Sequence, residues 1–232
     1  MACATDVMTD RKPNRLTSRP ATPSAAEYGP GLHKLGLSIG RDAWLIVPQS
    51  HRSGAALPLA VMLHGAGGNA QRSGASLQSF ADEGKIAVLI PESRDVTWDA
   101  IRAGFGADVE FVDTALGHVF DRFTIDRSHL AIGGFSDGAT YALSLGIPNG
   151  DLFTHVIAYS PGFLAATTQA GRPRIFVSHG TRDQILPIEN CSRRLVPALR
   201  EAGYRVHYKE FDGGHTVPGE IAQEALDWFL KS

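Results

Sequence analysis

The stretch HLAIGGFSDGATYALSLG, residues 129–146, decides the fold. Its first part, HLAIGGF (129–135), is typical of a buried strand, and its second part, DGATYALSLG (137–146), is typical of a helix. Between them the pattern Gly-x-Ser-x-Gly surrounds Ser136. A serine in a sharp strand-to-helix turn projects at the carboxyl edge of a sheet, and the glycines permit the unusual backbone dihedrals of that turn. The stretch therefore predicts a strand, a tight turn and a helix around an exposed nucleophile.

A second copy of the pattern, GLSIG (36–40), surrounds Ser38. It is followed by RDAWLIVP (41–48), which alternates in polarity and leads directly into another strand rather than a helix. The sequence therefore predicts a hairpin at this point and no chemical role for Ser38.

Strand and helix patterns alternate along the rest of the chain. The strands are predicted over residues 33–39, 42–48, 57–65, 85–91, 129–135, 154–160, 173–180 and 205–211, and the helices over 74–84, 109–123, 137–146, 187–203 and 218–230. Alternation of this kind from residue 57 onward indicates a mostly parallel central sheet with helices on both faces. The opening hairpin adds an antiparallel N-terminal edge, so the predicted class is α/β.

Length and composition limit the classes of function that the chain can have. The 232 residues predict one domain over 28–232, preceded by an extension (1–27) rich in Ser, Thr, Ala, Arg and Pro that is expected to be disordered. A net charge of −2 argues against a nucleic-acid partner, and no apolar run is long enough to span a membrane. Two cysteines and the lack of a secretory signal favour the cytoplasm, with the extension as an alternative targeting segment. The oligomeric state stays open.

A serine hydroxyl is a weak nucleophile and needs a neighbouring base, which in turn needs an orienting acid. His215 lies in FDGGHTVP, a glycine-rich loop after the last strand, and is the predicted base. Asp183 in SHGTRDQILP follows the strand 173–180 and is the predicted acid. The order serine, acid, histidine is the one found in proteins with this kind of turn.

Several rivals are less suitable. Asp151 follows a helix rather than a strand, and Asp212 stands only three residues before His215. His207 alternates within a strand and is interpreted as part of its surface. His64 is expected to shape its loop through hydrogen bonds rather than to react.

The developing oxyanion of an acyl transfer needs N–H donors. One is predicted at Asp137, directly after the nucleophile. The second is expected in HGAGGN (64–69), whose glycines let backbone amides face a substrate oxygen: Ala66 is the first choice and Gly67 the second.

Residues that could wall a substrate pocket are apolar and lie near these loops, although core packing is an equally good interpretation of them. They are Trp98, Ile101 and Phe105 on the long segment 92–106, with Leu186 and Val217 beside the acid and the base.

Four ordered motifs carry a resemblance to a known family: HGAGGN (64–69), GGFSDG (133–138), HGTRDQILP (179–187) and GGHTVP (213–218). In this order and at these intervals they resemble the α/β-hydrolase superfamily. More narrowly, the chain looks like the carboxylesterase/phospholipase group, which includes acyl-protein thioesterases and small bacterial esterases, and TWDAIRAGFGADVEFVD (97–113) resembles a segment of that group. The thioesterase members typically carry Gln where this chain has Asp137.

These residues predict a serine hydrolase that cleaves small-molecule carboxylic esters of short to medium acyl chains through an acyl-enzyme on Ser136. A thioesterase, a lysophospholipase or an acyltransferase would use the same three side chains, and a non-catalytic ligand receptor of the same fold is a further alternative. No metal or organic cofactor is implied, because the sequence holds no Cys-x-x-Cys or His-Glu-x-x-His pattern.

Overall fold

A computed structural model describes residues 14–102, 104–165 and 168–231. The strands are β1 (Gly31–Lys34), β2 (Ala43–Val47), β3 (Leu57–Leu63), β4 (Ala87–Pro91), β5 (Ile125–Phe135), β6 (His155–Tyr159), β7 (Arg174–Gly180) and β8 (Val206–Phe211). The helices are α1 (Ala70–Gly84), α2 (Asp99–Arg102), α3 (Ala107–Phe120), α4 (Asp137–Gly146), α5 (Ser192–Glu201) and α6 (Gly219–Leu230). No helix within these described ranges is both long enough and apolar enough to cross a bilayer.

The strands form one sheet in the order β1-β2-β4-β3-β5-β6-β7-β8. β2 pairs antiparallel with both β1 and β4, and the remaining neighbours pair in parallel. The predicted architecture, a mostly parallel sheet with an antiparallel N-terminal edge, is confirmed. Because β3, β5, β7 and β8 run in the same direction, the loops that follow them all leave from one edge of the sheet.

Side chains of the sheet alternate between two hydrophobic cores. In β3, Leu59, Val61 and Leu63 pack with apolar residues of α3, α4 and α5, whereas Ala60 and Met62 pack with residues of α1 and α6. The inner strands such as β3, β4 and β6 thus bury both of their faces, which is why these segments read as continuous apolar runs in the sequence.

The first hairpin has a longer loop than its sequence predicts. β1 ends at Lys34, and the loop 35–42 contains Ser38 and the fully exposed Ile39. The Asp42 carboxylate accepts hydrogen bonds from two backbone N–H groups of this loop, at 2.8 and 3.0 Å. The loop therefore satisfies its backbone with a side chain instead of extending the strand pairing to residue 39.

Helix boundaries also shift where caps decide them. α1 begins at Ala70, four residues earlier than predicted, because the Asn69 side chain accepts a hydrogen bond from the Arg72 N–H at 3.0 Å. α5 begins only at Ser192, since residues 187–191 form turns. The free thiol of Cys191 is buried at this point, and Cys3 lies outside the described residues.

The N-terminal segment 14–27 differs from the predicted disorder. Leu16 is 2% exposed, and its N–H donates to the side-chain carbonyl of Asn149 at 2.9 Å. Arg15 forms two 2.8 Å hydrogen bonds with the Asp151 carboxylate, which lower the pKa of Asp151 to about 2. One apolar anchor and a charged pair thus order a segment whose composition is that of a flexible tail; residues 1–13 lie outside the described ranges.

Candidate active site

The nucleophile candidate lies in a strained turn between β5 and α4. Ser136 has φ 58° and ψ −121°, a conformation that non-glycine residues adopt at a cost of about 1–3 kcal/mol. Its N–H donates to the Tyr159 carbonyl at 2.9 Å, which holds the turn against β6. Position 138 must be glycine, because a Cβ atom there would lie 2.2 Å from the Leu63 carbonyl oxygen. The sequence thus folds into the tight turn that it predicts.

Three side chains from distant parts of the chain meet at this edge of the sheet. Ser136 follows β5, Asp183 follows β7 and His215 follows β8. The distance from Ser136 Oγ to His215 Nε2 is 2.8 Å, and that from His215 Nδ1 to Asp183 Oδ2 is 2.6 Å. Because a carboxylate can only accept, the imidazole donates from Nδ1 and presents the lone pair of Nε2 to the serine hydroxyl.

The Asp183 carboxylate is fully buried, and both of its oxygens accept hydrogen bonds. Its Oδ1 atom accepts hydrogen bonds from the backbone N–H groups of Ile185 at 2.9 Å and Leu186 at 2.8 Å. His179 Nε2 lies 3.3 Å from its Oδ2 atom. Burial alone would raise the pKa of Asp183, but the bonds from Leu186 and His215 outweigh burial and lower it. The group is therefore a fixed negative charge beside the imidazole.

The rival residues have other partners. Asp151 forms ion pairs with Arg15 and with Arg19 of the N-terminal segment. Asp212 is exposed and lies 3.1 Å from Arg182, and His207 Nε2 lies 2.8 Å from Glu224 on the sheet surface. None of the three contacts Ser136, as the sequence analysis expects.

The loop after β3 offers one of the two expected oxyanion donors at Ala66. Within the described residues the N–H groups of Ala66 and Asp137 donate to no other group. The N–H of Gly67, in contrast, donates to the Val96 carbonyl at 2.7 Å. Gly67 is therefore excluded as the alternative donor, because its amide is already used to hold the loop.

His64 holds the same loop in place. Its Nδ1–H donates to the Gly65 carbonyl at 2.7 Å, and its Nε2 accepts from the Ser93 N–H at 3.1 Å. Burial lowers the pKa of His64, so the ring stays neutral and keeps both bonds. The Trp98 indole N–H donates to the His64 carbonyl at 2.8 Å. His64 shapes the loop and does not contact Ser136, in agreement with the prediction.

Thr97 is a site residue that the sequence analysis missed. Its hydroxyl donates to Asp137 Oδ2 at 2.5 Å, and this contact occupies the carboxylate at the position where related thioesterases typically carry Gln. Together with Val96 and Trp98, Thr97 forms a brace, defined here as residues 93–98, that contacts both the loop 64–69 and the start of α4. Thr97 begins the stretch 97–113 that resembles a family segment, but nothing in that stretch points to its partner Asp137, which lies 40 positions away.

A cavity of about 470 Å³ is lined by His215 and by Gly134 and Phe135, which directly precede Ser136. It lies on the side of the sheet covered by α1 and α6. Its apolar lining includes Met62, Leu77, Phe80, Tyr159 and Val217. The volume is within the range of sites for small organic ligands, which are concave and mostly apolar.

Of the five residues predicted for a pocket, only Val217 lines this cavity. Trp98 is fully buried and stacks on Tyr141 with ring centroids 5.0 Å apart, while Ile101 and Phe105 pack against the same core. Leu186 is not among the residues that line the cavity. Core packing is the correct interpretation of the residues on segment 92–106, since the cavity lies on the opposite face of the sheet.

Comparison with known proteins gives the family. A family model described as phospholipase/carboxylesterase matches residues 96–231, more than half of the chain. The chain belongs to the phospholipase/carboxylesterase family. The matched part of the chain includes Ser136, Asp183 and His215, whereas the loop 64–69 precedes it.

Two curated relatives of this protein are named as esterases. "Putative esterase NocK" of Nocardia uniformis subsp. tsuyamanensis is 27% identical over 146 residues, which are 58% of this chain and 42% of that protein. "Probable feruloyl esterase C" of Aspergillus clavatus is 27% identical over 156 residues, 64% of this chain and 56% of that protein. The chain spans about half the length of these relatives.

Solved structures of other proteins share the fold of this protein. Esterase PE8 superposes with a TM-score of 0.67 at 23% identity, covering 81% of this chain and 96% of that one. The fluorophosphonate-binding serine hydrolase FphF of Staphylococcus aureus superposes with a TM-score of 0.70 at 16% identity, covering 88% and 100%. At these identities the likeness establishes the α/β-hydrolase fold.

Proposed function

We propose that the protein is a serine hydrolase that cleaves carboxylic esters through an acyl-enzyme on Ser136. The observation that supports this proposal most directly is the continuous chain of contacts Ser136 Oγ to His215 Nε2 at 2.8 Å and His215 Nδ1 to Asp183 at 2.6 Å. Its partner His215 lines an apolar cavity, and the N–H groups of Ala66 and Asp137 have no acceptor among the described residues. These are the parts that acyl transfer requires.

In the first half-reaction, Ser136 Oγ attacks the acyl carbon while His215 Nε2 takes the hydroxyl proton. The amides of Ala66 and Asp137 stabilise the oxyanion of the tetrahedral intermediate, and each such donor contributes about 3 kcal/mol. The bond to the alcohol oxygen then breaks, and His215 gives its proton to the departing alcohol. Asp183 stabilises the imidazolium that exists between these proton transfers.

In the second half-reaction, water attacks the acyl-enzyme and gives its proton to His215. Collapse of the new tetrahedral intermediate breaks the bond to Ser136 Oγ, which takes the proton back. The products are a carboxylic acid and the free enzyme, so one water is consumed for each ester cleaved.

The size of the cavity supports esters of short to medium chains. About 470 Å³ suits a small organic group. Since one relative is named as a feruloyl esterase, an aromatic acyl ester belongs in the substrate panel. Thioesters, lysophospholipids and alcohol acceptors belong there as well, because the same three side chains would serve thioesterase, lysophospholipase or acyltransferase chemistry.

We expect a fluorophosphonate probe to label the protein once, on Ser136. The phosphorus is attacked by the activated serine and the adduct is stable, so intact mass rises by one adduct and peptide mapping locates it. Ser38, in the second Gly-x-Ser-x-Gly pattern, is a control within the same chain because it has no histidine partner in the described residues. Absence of labelling, or equal labelling of both serines, would contradict the proposal and favour a non-catalytic receptor.

We expect Thr97→Val to lower kcat/KM for p-nitrophenyl butyrate about tenfold, equivalent to about 1.4 kcal/mol. The substitution keeps the shape of the side chain but leaves the Asp137 carboxylate without its donor, which loosens the start of α4 where one oxyanion N–H lies. Steady-state kinetics measures the effect. Thr114→Val is the matched control, since its hydroxyl only donates to the Glu110 carbonyl on an exposed helix face; equal losses in both variants would refute the role of the brace.

A further inference from the structure

The cavity near Ser136 has one apolar wall and one polar wall. Strand ends and the inner side of α1 supply the apolar wall described above. The outer part of α1 and its cap supply a polar wall of Asn69, Arg72, Ser73 and Ser76. Arg72 is exposed at the surface, so the polar wall lies at the rim of the cavity. A chain that fills the cavity would thus have apolar contacts along its length and polar contacts where it reaches solvent.

Arg72 gives that rim a positive charge that has no ion-pair partner in the described part of the chain. The residues that line the cavity include no aspartate or glutamate, and their other basic groups are His64, which is neutral, and His215 of the proposed reaction. Arg72 takes part in none of the ion pairs formed within the described ranges. Arg15 and Arg193, in contrast, each contact carboxylates.

A guanidinium at the rim of an apolar cavity complements a particular kind of ligand. Its planar N–H groups bind a carboxylate or a phosphate with two parallel hydrogen bonds. A purely apolar ester has no anion that could pair with the guanidinium. An ester whose chain ends in an anion can form this pair while the chain fills the cavity.

We propose that the protein prefers esters that carry a carboxylate or phosphate at the end of one of their chains, with Arg72 as the residue that binds this anion. The inference rests on the proposed ester hydrolysis and adds the class of substrate. The alternative is that the stem of Arg72 merely covers apolar surface, in which case substrate charge has no effect.

Two pairs of esters of matched shape test the preference. Monomethyl adipate and methyl hexanoate differ only in a carboxylate at the end of the acyl chain. 6-Acetoxyhexanoate and hexyl acetate differ in the same way on the alcohol side. We expect kcat/KM, measured by pH-stat, to be about tenfold higher for the anion in one of the two pairs, as one charge-assisted hydrogen-bonded contact would produce. The pair that shows the preference identifies the chain that occupies the cavity.

Dividing kcat/KM for the anionic ester by kcat/KM for the neutral ester isolates the effect of Arg72 on the preference for a charged substrate. We expect Arg72→Gln to reduce this ratio about tenfold and Arg72→Lys to retain part of it, because lysine keeps the charge but not the planar pair of donors. Raising the salt concentration should lower the wild-type ratio. Arg194→Gln, an equal change of charge on the exposed side of α5, should leave the ratio as it is.

The outcomes separate this inference from the proposed function. If neutral esters are hydrolysed and the ratio is one or less in both pairs, the inference is overturned and ester hydrolysis stands. If no ester is hydrolysed, the proposed function fails, and calorimetric titration of Ser136→Ala still tests the anion site. That protein should bind monomethyl adipate or 6-acetoxyhexanoate more tightly than the neutral partner, and the difference should vanish when Arg72→Gln is added; equal binding overturns the inference.

Discussion

Ser136→Ala is expected to lower kcat for p-nitrophenyl butyrate by about 10⁴- to 10⁶-fold. The substitution removes the only oxygen that lies within hydrogen-bonding distance of His215 Nε2 in the described part of the chain. No acyl-enzyme can then form, and the remaining rate comes from water and the oxyanion donors alone. Steady-state hydrolysis at the highest practical enzyme concentration measures this residual rate.

Folding should not suffer in this variant. Alanine has the same backbone preferences as serine at the strained φ of 58°, so the melting temperature should stay within a few degrees of the wild type. Ser38→Ala serves as the matched control and should retain full activity, since Ser38 lies in the hairpin loop. Retention of more than about 1% of the activity by Ser136→Ala would place the nucleophile elsewhere.

Asp183→Asn is expected to lower kcat about 10³- to 10⁴-fold with a much smaller change in KM. The amide has the shape of the carboxylate but no charge to stabilise the imidazolium. Its NH₂ group can also donate to His215 Nδ1, which would then hold its proton on Nε2 and point it at the serine. Asp212→Asn is the matched control, because Asp212 is exposed and bound to Arg182; its activity should stay within about twofold of the wild type.

The lowered pKa of Asp183 gives this variant a pH signature. A carboxylate whose pKa is lower in the folded state contributes stability above its unfolded pKa and loses it as pH falls through the folded value. Asp183→Asn should therefore melt at a lower temperature than the wild type near neutral pH, and the gap should narrow below the ordinary carboxylate range. A gap that widens in acid would contradict the direction of the shift.

The sequence could predict the convergence of Ser136, Asp183 and His215 because the rule behind it is simple. Each residue follows a strand, and the carboxyl ends of parallel strands share one edge. Local chemistry then identifies the residues: the turn glycine at position 138 and the glycine-rich loop before His215 are visible without coordinates. The strands before these three residues end where the sequence predicts, and α4 has its predicted bounds.

Details that depend on contacts between distant loops could not be predicted. The Gly67 amide donates to the Val96 carbonyl, and neither residue reveals that pairing in its local sequence. Trp98 looked like a pocket wall because it is aromatic and lies on a long loop, but its place depends on packing against α4. The cavity itself is shaped by α1, whose inner residues read as ordinary helix.

Composition likewise gives no sign of the contacts that the N-terminal segment makes. Residues 14–27 hold few apolar groups, yet Leu16 supplies an anchor and Arg15 a charged contact to Asp151. Such single contacts do not alter the average composition on which a prediction of disorder rests.

The way in which this segment is bound affects how a shortened recombinant protein should be prepared. A truncation at Tyr28, the boundary that composition recommends, would open the hydrophobic surface that Leu16 now covers. It would also strip two hydrogen bonds from the buried amide of Asn149, which binds the backbone of residues 14 and 16. A purification tag is better placed ahead of residue 14, where it leaves these contacts in the expressed protein.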